Sequence, residues 1–103
     1  MIKVSVMYPN SEGATFDADY YVNTHMAMVK DLVGDACKKT EVDVGLSKDE
    51  AGIPCSYIAM GHLYFDSVAD FQKAFGPHGK TFAADVPNYT NVQGQIQVSE
   101  VKV

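Results

Sequence analysis

A chain of 103 residues with 47% hydrophobic and 20% charged residues has room for one globular domain, 1–103, and none for a second. Its net charge is −5, and its positive charges are eight lysines with no arginine, which argues against nucleic-acid binding and against a bidentate phosphate or carboxylate clamp. A monomer this small buries only about 60–65% of its unfolded surface, so self-association would add stability.

The first predicted element is a strand over Ile2 to Tyr8, in which Ile2, Val4, Val6 and Tyr8 point one way and Lys3, Ser5 and Met7 the other. Turn residues in "PNSEGAT" end it. A helix is expected from about Asp17 to Val33, with Thr15 as N-cap, Asp17 and Asp19 in the first turn and Gly34 as the stop. Thr40 to Leu46 alternates as a half-buried strand, and "SKDEAGIPCS" reads as a loop. Tyr57 to Phe65, "YIAMGHLYF", is apolar on both faces and so calls for cover on both. Ser67 opens a second helix with Asp70 as capping-box partner, Gly76-Pro77 interrupts it, and a further turn or two from Lys80 to Asp85 ends before Pro87. A strand from Gln95 to Val103 closes the chain, and its change of apolar phase between Val98 and Val101 suggests a bulge.

The order β-α-β-β-α-β predicts an α+β, ferredoxin-like domain: a four-stranded antiparallel sheet with both helices on one face. Ile58, Met60 and Tyr64 then lie on the uncovered face, and a second copy packed sheet to sheet is the economical cover. A homodimer is expected. Cys37 and Cys55 match no metal or redox spacing and read as reduced thiols. With neither a signal-peptide core nor a stretch of ~20 apolar residues, the expected location is cytoplasmic, with no membrane partner.

The residue that asks for an explanation is His25. Laid out at 100° per residue, Ala18, Tyr21, Val22, His25, Val29 and Leu32 share an arc of roughly 100° facing the sheet. A buried imidazole without a partner costs about 1–3 kcal/mol, so His25 either bonds within the core or serves a pocket as acid, base or hydrogen-bond donor. Ala59 and Gly61, small residues on one face of the central strand, leave space beneath it for a ligand. Tyr21, Val22, Val29, Ala59 and Gly61 are the candidate substrate-binding residues, joined by His78 at the mouth, and His25 is the candidate catalytic group. His62 falls on the opposite sheet face at the expected dimer contact, and Tyr20 on the polar side of the helix. The histidines form no metal signature, and no nucleophile elbow, Ser-His-Asp order or glycine-rich phosphate loop can be read.

Taken together, "MIKVSVMYPN", "FDADYYVNTHMAMVKDLVG", "YIAMGHLYFDSVADFQKAF" and "DVPNYTNVQGQIQVSEV" resemble the EthD family over nearly the whole chain. The resemblance implies a dimeric α/β-barrel, with His25 as the hallmark polar residue of the helix. Where the commoner motif has proline after "HM", this chain has Ala27. It also implies a role in the oxidative degradation of small organic compounds, which makes an oxidoreductase-related activity on a small apolar molecule the leading expectation. A cofactor-free cyclase or isomerase and a non-catalytic carrier are the alternatives, and fold alone does not choose among them. No cofactor is expected: nucleotide fingerprints are missing, and a haem held by His25 or His78 would find no arginine for its propionates.

Overall fold

The alternation at the N-terminus forms strand β1, Ile2–Pro9, in the computed structural model, which describes residues 1–46 and 54–103. Strands β2 (Lys39–Val44), β3 (Tyr57–Phe65) and β4 (Gln95–Glu100) complete one antiparallel sheet in the order β2-β3-β1-β4. This is the ferredoxin-like arrangement. The register pairs Val4 with Leu63 and Val98, and Val6 with Gly61 and Ile96, so the apolar residues of the two central strands share one face. Val4, Tyr8, Ala59, Leu63 and Phe65 of that face are buried under the helices.

The chain between β1 and β2 forms helix α1, built of three consecutive pieces: an α-turn Ala18–Tyr20, a π-helical stretch Tyr21–His25 and an α-helix Met26–Val33. Asp17, rather than Thr15, is the N-cap; its carboxylate accepts from the Tyr20 N–H at 3.0 Å. Gly34, at φ +65°, ends the helix in a conformation open to few other residues. In the π-helical stretch the Met26 N–H bonds to the Tyr21 carbonyl, five residues back instead of four. The wider turn rotates everything after it by roughly one residue, so a uniform 100° layout fails there. Tyr21 and His25 remain inward, Met26, Val29 and Val33 follow them, and Val22 and Leu32 turn outward at 45% and 36% exposure.

After β3, helix α2 (Val68–Phe75) starts at Ser67, whose hydroxyl accepts from the Asp70 N–H at 3.1 Å. A 3-10 turn, Gly76–His78, marks the Gly-Pro break; helix α3 (Gly79–Asp85) and a second 3-10 turn, Val86–Asn88, follow. Strand β4 ends at Glu100, short of the expected Val103, and its register with β1 has no bulge. The Val101 N–H instead bonds to the Met1 carbonyl beyond the ladder, and the sheet's irregularity lies at Tyr8/Pro9 against β3. Most of the expected loop 47–56 lies outside the described residues. Among the described residues no helix is long and apolar enough to cross a membrane.

Among the described residues no helix covers the sheet's other face. Ile58, Met60 and Tyr64 are half-buried there beside Lys3, Lys39, Glu41 and Asp43. His62 sits among them, only 8% exposed, with its Nδ1 2.8 Å from the Ser5 hydroxyl and its Nε2 3.0 Å from the Asp43 carboxylate. The line Asp43–His62–Ser5 has the connectivity of a nucleophilic triad but not its setting. Ser5 lies mid-strand on β1, paired to β3 on one side and β4 on the other, so no free backbone N–H surrounds its hydroxyl to receive an oxyanion.

Candidate functional site

Between the helices and the sheet lies a cavity of about 360 Å³. Its walls are mostly apolar: Val6, Met26, Val29, Leu63, Phe75 and Phe82. The polar atoms come from His25, from the phenols of Tyr8, Tyr21 and Tyr89, and from Gln93. The exposed Ala83, Gln93 and Ile96 mark where it opens to solvent, beside edge strand β4. Among the described residues no lysine lines it, and no group of three His, Cys, Asp or Glu side chains is placed to hold a metal.

His25 is 6% exposed, held at the C-terminal end of the π-helical stretch. Its ring stacks on Tyr21, with centroids 5.4 Å apart and 13° between planes, and touches Tyr89 at 4.7 Å. Its Nδ1 lies 2.9 Å from Oδ2 of Asp85, the last residue of α3. The other carboxylate oxygen, Oδ1, accepts from the Tyr20 hydroxyl at 2.7 Å and from the Asn88 amide at 2.8 Å. Burial opposes ionisation of Asp85, but the hydrogen bonds from Asn88, Tyr20 and His25 outweigh it and hold its pKa below the ordinary carboxylate value. An ionised Asp85 can only accept, so the neutral imidazole carries its proton on Nδ1. Nε2 makes no hydrogen bond within the described protein, and no fully buried side-chain nitrogen there lacks a partner. It is therefore a lone pair reached from the cavity. An oriented imidazole with a carboxylate behind it is the arrangement of a general base.

The tyrosines pack around the same space. The Tyr8 and Tyr89 hydroxyls meet at 2.6 Å, and Tyr21 stands 4.9 Å from Tyr89 and 5.7 Å from Tyr8 between ring centroids. Burial raises the pKa of all three phenols above the ordinary value, so they are neutral donors at physiological pH. Gly61 belongs to this packing for a definite reason. A Cβ on it would run into the Tyr21 hydroxyl, so its missing side chain is what lets that phenol reach the sheet. Gly94 does the same at the rim, where a Cβ would come to 3.0 Å from Tyr8 Cε1 and Val6 Cγ1.

The structure thus brings together four of the residues singled out in the sequence: His25, Tyr21, Val29 and Gly61 line one cavity. Ala59 is 1% exposed in the core and contributes no cavity surface. His78 is half-buried 6.1 Å from the Phe82 ring, one residue before the lining Gly79. Val22 faces outward into a wider, shallow groove between α1 and β2, which carries Lys30, Asp31 and Glu41 and no phenol or imidazole. Sequence reasoning missed Asp85, Asn88, Tyr8 and Tyr89, and placed Tyr20 on the polar side without its role. The one available signal was the aromatic in "PNYT", a buried tyrosine among turn residues.

Known proteins share this architecture. A solved EthD-like protein of Ralstonia eutropha JMP134 is 43% identical, superposes with a TM-score of 0.90 and is matched over 99% of this chain and 92% of its own. An ethyl tert-butyl ether (EthD) family protein of Bacillus halodurans C-125, 18% identical, has a TM-score of 0.75 with 99% of each chain covered. In sequence, an uncharacterised 11.0 kDa protein from the thcB-thcC intergenic region of Rhodococcus erythropolis is 32% identical over 93 residues, 88% of this chain and 85% of its own length. The family model of the EthD domain matches residues 12–93, a span that holds the π-helical turn, His25, Asp85 and Tyr89. The chain belongs to the EthD domain family.

Proposed function

We propose that this protein binds a small, neutral organic molecule in the helix–sheet cavity and takes a proton from it at Nε2 of His25. The observation that carries this reading is the 2.9 Å contact from His25 Nδ1 to Asp85, which leaves Nε2 as the accepting atom towards the cavity. A positioned base of this kind contributes about 10²–10⁴-fold to a rate. The lining supports a neutral ligand, since a carboxylate or phosphate would find no cation there. The catabolic, oxidoreductase-related role associated with the family fits the same step. A deprotonated organic molecule is electron-rich, the form in which it is isomerised, cyclised or oxidised.

The protein works as a homodimer in this proposal. The uncovered sheet face, with half-buried Ile58, Met60 and Tyr64 around the His62 network, supports a second copy packed against it.

The test is a fragment panel of neutral and anionic ring compounds, followed by NMR on the cavity methyl and aromatic signals. Neutral members should shift Met26, Val29 and Phe82, and His25→Ala should keep binding while abolishing proton transfer. Shifts confined to the α1–β2 groove would overturn the assignment of the site, and binding with no proton transfer in the wild type would make the protein a carrier.

A further inference from the structure

We infer that the ligand is an enolisable carbonyl compound, with the paired Tyr8 and Tyr89 hydroxyls receiving its oxygen while His25 takes the adjacent C–H proton. This rests on the base assignment made under the proposed function and adds the group that opposes it.

Three phenols bring three protons to this wall: the Tyr8 and Tyr89 hydroxyls meet at 2.6 Å, and the Tyr21 hydroxyl also bonds to Tyr8. Two protons occupy those two contacts, and the third remains for a further partner. Both tyrosines line the cavity, and Tyr89 lies against His25, with centroids 4.7 Å apart. Burial keeps both phenols protonated, so they donate and do not compete with His25 for a proton. The cavity therefore sets one lone-pair nitrogen and one free O–H side by side within otherwise apolar walls.

That pairing selects a chemistry. A molecule that merely needs solvating calls for no base, and an anionic one calls for a cation. A ketone with an acidic α-hydrogen uses both groups at once. Nε2 takes the α-proton, the C–H electron pair becomes the C=C bond, and the carbonyl π pair moves to oxygen. The resulting enolate oxygen accepts from the Tyr8–Tyr89 pair, and the imidazolium is balanced by the ionised Asp85. Return of the proton from Nε2 to another carbon gives an isomer; alternatively the enolate carbon attacks a second carbonyl of the ligand, the C–C bond closes a ring, that carbonyl's π pair moves to its oxygen, and the Nε2 proton neutralises the alkoxide. Electrons and protons balance within ligand and protein. Neutral phenols serve such an oxygen well because their donation strengthens as charge develops on it. A cavity of about 360 Å³ corresponds to about a dozen heavy atoms at the density of liquid water. The ligand class is thus a compact, neutral mono- or bicyclic ketone or diketone.

The experiment uses 4-nitrophenol, a planar O–H acid that mimics an enol, with nitrobenzene as its counterpart lacking the hydroxyl. Wild-type protein should bind both and show the yellow anion of 4-nitrophenol at a pH at least one unit below that of the free compound. Tyr89→Phe and Tyr8→Phe should each weaken binding of the anion about tenfold while leaving nitrobenzene within twofold; the two variants back each other up should one fail to fold. His25→Ala should return the ionisation to that of free 4-nitrophenol. If both probes shift the cavity signals but neither phenylalanine variant changes anion binding, the tyrosine assignment is overturned while the cavity reading stands. If neither probe reaches the cavity, the reading beneath it has failed as well.

Discussion

Asp85 accepts the Nδ1 proton of His25 at 2.9 Å across 60 residues of sequence, joining the end of α3 to the end of the π-helical turn in α1. The carboxylate collects two further donors, Tyr20 and Asn88, so three side chains depend on it. Asp85→Ala leaves these groups without their acceptor. We expect a loss of about 1–3 kcal/mol, read as a fall in Tm at about 4–8 °C per kcal/mol in a domain of this size.

The same residue sets a pH dependence. Its folded pKa lies below the unfolded value of 3.8, so the unfolded chain binds the proton more tightly. Its contribution to stability is fully present above that value and disappears as the pH falls through the lower, folded one. Thermal melts of wild type and Asp85→Asn should therefore differ by a constant amount at neutral pH and converge on acidification below 3.8. A gap that widened in acid would contradict the assigned direction.

The contact between Gly61 and the Tyr21 hydroxyl predicts a compensating pair. Gly61→Ala forces the phenol off the sheet and should cost about 1–3 kcal/mol as overpacking. Tyr21→Phe removes the atom in the way, so the double variant should recover more than half of that loss in denaturant melts. Additive losses would mean that the Cβ meets something other than this hydroxyl.

The phase of α1 can be tested by two truncations. Met26→Ala opens the core and should cost about 2–5 kcal/mol. Val22→Ala, on the outward side, should stay within about 0.5 kcal/mol. A uniform α-helix would reverse the two.

For the assembly, Met60→Lys places a charge at the centre of the uncovered sheet face. Light scattering should give about twice the chain mass of 11.2 kDa for the wild type and the single mass for the variant. A wild-type mass of one chain would rule out the proposed homodimer.

Strands and their order were legible because β1 alternates inward and outward residues, β3 is a nine-residue apolar run of strand length, and turn residues bound them. The inward side of α1 was legible at Tyr21, His25 and Val29 but not at Val22 or Met26. A π-helical turn changes the phase without changing the composition, and nothing in "YYVNTHM" announces a hydrogen bond five residues back. Asp85 looked like an ordinary acid at a helix end before a proline. Its partner is 60 residues away, and pairing of that kind belongs to the packing of two helices rather than to any local pattern. Tyr20 follows the same rule: its place on the polar side of the helix is local, whereas its hydroxyl's partner, Asp85, lies 65 residues on.

The account turns on the state of one imidazole. Nitrogen-15 NMR of His25 at a pH where it is neutral tests this directly. The account predicts a proton on Nδ1 and a bare Nε2, with the Nε2 signal moving towards the protonated range when 4-nitrophenol fills the cavity. A proton resident on Nε2 in the free protein, or an Nε2 signal indifferent to the ligand, would contradict it.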